Sequence, residues 1–172
     1  MRHQQDFTIW LRPVQNENAL FSLRGALYEL ARTLKDEPFG PDEVESTKAF
    51  LDGYLLLFAQ TDARKLGYAL DDHFLGSDGF LDEWRRKLKE VTPEQVNAAW
   101  KKWIGPNLAR LQIVMVTPKA AEVKKLILSN AATPMHYRKE PQSKELLAAD
   151  ALIEKWPIKG EVEIVSVDRM FE

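Results

Sequence analysis

Polar and apolar residues follow a helical period along most of this chain and a period of two in a few short runs. From Glu17 to Lys35, Leu20, Leu23, Leu27, Leu30 and Leu34 recur in steps of three and four, the stripe of an amphipathic helix. The run Asp36-Glu37-Pro38-Phe39-Gly40 breaks it. Pro41-Asp42-Glu43 then opens a second helix, where a missing donor and acidic groups suit the first turn; Val44, Thr47, Leu51, Tyr54 and Phe58 mark its expected buried face. Thr61-Asp62 caps a third helix carrying Leu66, Leu70, His73 and Phe74 up to Gly76, and Asp78 caps a fourth with Leu81, Trp84 and Leu88. Thr92-Pro93-Glu94-Gln95 is a capping box with proline at the first helical position. Val96, Ala99, Trp100 and Trp103 follow it, and Gly105-Pro106 closes that helix.

Strand patterns occupy three places. Asp6 to Arg12 alternates, with Phe7, Ile9 and Leu11 on one side. Leu111 to Val116 is almost continuously apolar, as for a strand covered on both faces, and Glu161 to Val167 alternates again. A strand beginning at residue 6 needs partners from elsewhere, so the reading is of a supporting piece of a larger protein. Lys119 to Leu128 and Leu146 to Trp156 read as further helices, joined by an aperiodic connection over residues 130 to 142.

Composition limits the function classes. The chain has 172 residues, 45% hydrophobic and 29% charged, and 24 basic residues offset 26 acidic ones. That is the balance of an ordinary folded domain with no electrostatic footprint for nucleic acid. The longest apolar run, Tyr54 to Ala59, is far short of a membrane span, and no secretory signal follows Met1. Absence of cysteine removes disulfides, thiol nucleophiles and cysteine-ligated metals, and weakly favours a periplasmic or otherwise exported location over the cytoplasm.

No complete catalytic or metal site is legible. His3, His73 and His136 never stand one helical turn apart, the spacing that turns two imidazoles toward one zinc ion. His73 shares the apolar face of Leu66 and Leu70 and is expected at the core or its boundary. Asp71 and Asp72 cannot orient His73, because helix neighbours one or two apart do not face each other. Arg85, Arg86, Lys87 and Lys89 are balanced by Asp82, Glu83 and Glu90, a solvated face, while Trp84, Trp100 and Trp103 are expected in the core. Nucleophile elbows and glycine-rich phosphate loops do not occur.

The order of D-F-T-I-W-L-R-P, F-G-P-D-E-V-E-S-T-K-A-F-L-D-G-Y, T-D-A-R-K-L-G-Y-A-L-D-D-H-F-L-G, V-T-P-E-Q-V-N-A-A-W-K-K-W-I and L-Q-I-V-M-V-T-P resembles the second half of a domain of the insulinase/pitrilysin-type zinc metallopeptidases. The resemblance implies an α+β fold, with helices packed on one face of a small, incomplete antiparallel or mixed sheet. It divides the chain into residues 1–128, a partial C-terminal domain, and residues 129–172, a C-terminal extension. It implies zinc in a parent catalytic domain and no cofactor, metal ligand or catalytic residue in this chain. The family's H-x-x-E-H is absent, and so is the Arg and Tyr pair, seven residues apart, of its non-catalytic domains: Arg2 is followed at that distance by Ile9.

Two functions follow as expectations. The first is the non-catalytic C-terminal part of such a peptidase, inactive alone, helping to form the peptide chamber and its domain contacts. Its partners would be the remainder of the same polypeptide or a catalytic subunit, with peptide substrate met only indirectly. The alternative is a protein–protein interaction module with an exposed sheet edge and no peptidase role. Either leads to the expectation of self-association through exposed edges, without nucleic acid or membrane.

Overall fold

The computed structural model describes residues 7–35, 38–77, 79–139 and 142–169. The chain divides into two compact units, one of residues 1–35 and 110–172, the other of residues 36–109.

In the first unit, a 3-10 turn at Asn16–Asn18 leads into α1 (Ala19–Lys35). Leu20, Leu23 and Leu30 are buried along it, as the leucine spacing predicts. α1 carries the C-terminal part of the chain. α6 (Ala120–Ser129) ends at Asn130 in the left-handed region, φ 47°, with amides of Asn130 and Ala131 returning to the carbonyls of Ile127 and Leu126. α7 (Lys144–Ile153) starts on the Ser143 hydroxyl and packs on α1, where the rings of Tyr28 and Trp156 meet edge to face at 5.1 Å.

The second unit is α2 (Pro41–Phe58), α3 (Asp62–Leu75), α4 (Phe80–Glu90) and α5 (Pro93–Ala99). A π-helical turn (Trp100–Ile104) and a 3-10 stretch (Gly105–Arg110) continue α5. Thr92 caps α5 reciprocally: its hydroxyl accepts from the Gln95 amide at 3.3 Å, and its own amide donates to the Gln95 side chain at 3.1 Å. Gly105-Pro106 does not stop the helix at once, because the chain tightens into 3-10 geometry instead. Gly76, at φ 67°, ends α3 as expected. The expected cap at Asp78 lies outside the described residues, and Gly79 precedes α4.

The α+β expectation is overturned: among the described residues there is no strand, and the fold is all-α. Residues 7–12, 111–116 and 161–166 are neither helix nor strand; Val167 begins a 3-10 turn, and Asp6 lies outside the described residues. Alternation sets only which side chains share a face. A strand also needs a hydrogen-bonded ladder to a second backbone, and none is formed by these segments among the described residues.

Two side-chain placements also depart from the sequence reading. On α2 the inward row is Val44, Lys48, Leu51, Leu55 and Phe58, while Thr47 and Tyr54 face solvent. On α3 no residue is buried, and His73, expected at the core, is exposed with Leu66, Leu70 and Phe74. Only Tyr68 and Asp72 of α3 are partly covered, because its contact with α4 lies on that opposite side.

Candidate interaction surface

Polar side chains inside the apolar stripes hold the C-terminal segment in place. Arg24 stands on the Leu20, Leu23 and Leu27 face of α1 and is 0% exposed. Its guanidinium donates to the Ala131 carbonyl at 2.9 Å and to the Glu154 carbonyl. Ala131 follows the C-cap of α6, and Glu154 is the C-cap of α7, its carbonyl also accepting from the Thr133 amide at 3.0 Å. A buried cation is thus held by two helix ends rather than by a carboxylate. Burial pulls its pKa down from the ordinary arginine value, and the charge of Glu154 partly opposes this. Asn18, also buried, reads the His136 main chain from both sides, accepting its amide at 2.8 Å and donating to its carbonyl at 3.0 Å.

The second unit repeats the device. The Lys48 ammonium donates to the carbonyls of Lys89 at 3.2 Å and Val91 at 3.1 Å, closing the end of α4, and Arg64 donates to the Leu57 carbonyl at the end of α2. Asn97 pairs with both main-chain groups of Phe39, each at 2.9 Å. Sequence reasoning missed Arg24 and Lys48. The signal was present: a lone cation inside a leucine stripe must find acceptors where it is buried.

The chemistry-bearing residues named from sequence do not converge. His73 is on the outer side of α3 and His136 is engaged through its main chain; His3 lies outside the described residues. Among the described residues, no group of three or more His, Asp or Glu is placed to hold a metal ion. Asp72 does structural work away from His73: it accepts from the Ser77 hydroxyl at 2.6 Å and from the Phe80 amide at 3.1 Å, joining the end of α3 to the start of α4. The basic run on α4 is a solvated face, with ion pairs Arg85–Asp52, Arg86–Glu90 and Lys87–Glu83. Lys87, by hydrogen bond and by charge, holds the Glu83 carboxyl below the usual range. Trp84 lies among Phe58 and Phe80, and Trp100 against Phe39; both were expected in the core and are only partly covered. Trp103 does not: it is mostly exposed, under the Lys102 ammonium at 4.6 Å.

One shallow cleft of about 240 Å³ opens in the first unit between Glu17, Leu20, Lys119, Glu122 and Thr133. Its charges are of both signs and select no single ion. The Thr133 hydroxyl beside it is buried without a hydrogen-bond partner among the described residues.

The prominent feature is uncovered apolar surface. The chain exposes 13,922 Å². A folded monomer of this mass exposes about 8,600 Å², and two separate folded bodies the size of its units would expose about 10,400 Å². Among the described residues, Leu20, Leu23, Leu30, Val44, Leu55 and Leu88 are the buried hydrophobic side chains, a small core for this length. Apolar side chains outside the helices are open: Val114 is 90% and Val116 93% exposed, and Phe7, Ile9, Trp10, Leu11, Ile164 and Val165 are exposed as well. Residues 8–12 and 112–116 make no backbone–backbone hydrogen bond among the described residues. Comparison with known protein families, characterised proteins and solved structures gives no match.

Proposed function

We propose that the chain is a non-catalytic part of an insulinase-type zinc metallopeptidase, where it makes domain contacts and helps wall the peptide chamber. The open apolar side chains of Ile9, Trp10, Leu11, Val114, Val116, Ile164 and Val165 carry this reading, because a piece that packs against neighbouring polypeptide must keep such surface open until the neighbour is present. The ordered sequence resemblance supplies the kind of neighbour. Zinc belongs to the catalytic domain in this reading, and no residue of this chain is assigned to it.

Tagged chain recovered from its native source tests the proposal. The expected result is co-purification with a polypeptide, or continuity with one, that carries H-x-x-E-H, together with peptide hydrolysis abolished by chelation. Zinc-dependent hydrolysis by the isolated chain, or recovery only with polypeptides lacking the motif, overturns it. The second reading, an interaction module without a peptidase role, draws on the same open surface, but its sheet edge is not formed by the described residues.

A further inference from the structure

We propose that residues 112–116 are an endoproteolytic cleavage site, and that the cut chain persists as two polypeptides held together by α1. An endopeptidase takes its substrate as an extended strand, pairing with main-chain N–H and C=O groups on either side of the bond it cuts. A helix offers those groups only after unfolding, whereas a segment that is already open is cut in the folded state. Residues 112–116 lie between the 3-10 stretch that ends at Arg110 and the start of α6, and they make no backbone–backbone hydrogen bond among the described residues. Residues 8–12 and 161–165 are open in the same way. Their most exposed apolar side chains, Trp10 at 70% and Val165 at 59%, are less free to enter a protease pocket than Val114 at 90% and Val116 at 93%.

The enzyme that fits is one that reads an aliphatic side chain. No residue from Leu111 to Thr117 is charged, and the two open side chains are both valine. At Ile113–Val114 or Met115–Val116, water adds across the amide: the carbonyl carbon gains the hydroxyl, the valine nitrogen gains the proton, and the C–N bond breaks. The contacts that hold the first unit run from α1, before the cut, to residues after it. Arg24 donates to the carbonyls of Ala131 and Glu154, Asn18 pairs with both main-chain groups of His136, and Tyr28 meets Trp156. Cutting breaks none of them. It removes only the covalent link, so the pieces then depend on these contacts alone. The cut needs the free chain and a separate endopeptidase, whatever the activity of the parent protein.

Brief digestion of the full chain with thermolysin, which cuts before aliphatic residues, tests the proposal by intact mass. The first products should be residues 1–113 with 114–172, or 1–115 with 116–172, and they should elute together from a sizing column. Val114→Asp with Val116→Asp, at unchanged helix content by circular dichroism, should slow the first cut at least about tenfold, because an aliphatic pocket excludes an unpaired carboxylate. Uncut Asn18→Ala should keep the wild-type helix content, and its cut pieces should dissociate at a concentration at least about tenfold higher than the cut wild-type pieces. A first cut within a helix, or in residues 8–12 or 161–165, overturns the proposal. So do wild-type pieces that separate on cutting, a double variant cut at the wild-type rate, or Asn18→Ala pieces held as tightly as wild type.

Discussion

The guanidinium of Arg24 donates to the carbonyl of Ala131 at 2.9 Å from a side chain with no solvent exposure. The same group reaches Glu154, so one residue of α1 fixes the ends of two later helices. Arg24→Met keeps the aliphatic bulk and takes the guanidinium from the Ala131 carbonyl and from the Glu154 carbonyl, which keeps only the Thr133 amide. It is expected to destabilise the first unit by about 3 kcal/mol, read as a shift of the urea midpoint. Loss of less than about 1 kcal/mol would show that water or another donor replaces it.

Asn18 holds His136 by two main-chain bonds, so its replacements should not be equivalent. Asn18→Ala loses both and is expected to cost about 2 kcal/mol. Asn18→Asp can still accept the His136 amide but cannot donate to the carbonyl. Hydrogen exchange at the His136 amide should therefore stay protected in the aspartate variant and become fast in the alanine variant.

Thr92→Ala removes the hydroxyl that accepts from the Gln95 amide, and about 1 kcal/mol of stability is expected to go with it. The same hydroxyl is the main reason the Glu94 carboxyl sits below the ordinary range. A rise in the Glu94 pKa, followed by carbon-detected NMR, should accompany the loss of stability.

Glu83 tests the solvated face of α4. Its folded pKa is depressed chiefly by Lys87, so its contribution to stability is present above the unfolded carboxylate pKa and is lost as pH falls through the folded value. Lys87→Gln should raise the Glu83 pKa toward the ordinary range, and added salt should shrink the difference between the two proteins. An unchanged pKa in the variant would remove Lys87 as the cause.

Helices were legible in the sequence because their determinants are local. The leucines of α1, Pro41 at the start of α2, Gly76 after α3 and the Thr92 box each act within a turn or two. Burial was legible only where the stripe had a partner. Leu20 and Leu23 lie under the C-terminal segment, whereas Leu66 and Leu70, at equally helical spacing, have nothing over them. Periodicity marks a face and does not say what covers it. The strand pattern at Leu111 to Val116 failed for a related reason, since pairing depends on a second backbone that the pattern does not contain. Absence of a zinc motif could be read directly from three histidines, but the positions that organise the fold, Arg24, Asn18 and Lys48, act through main-chain carbonyls and amides that no side-chain motif records.

Lys48 carries a consequence for chemical labelling. Its ammonium is occupied by Glu45 and by the carbonyls of Lys89 and Val91, and its side chain is 16% exposed. Amine-reactive reagents should modify Lys65, on open α3, well before Lys48. Rapid acylation at Lys48 would then report that α2 and α4 have separated, giving mass spectrometry a clock for the opening of the second unit while the chain remains otherwise folded.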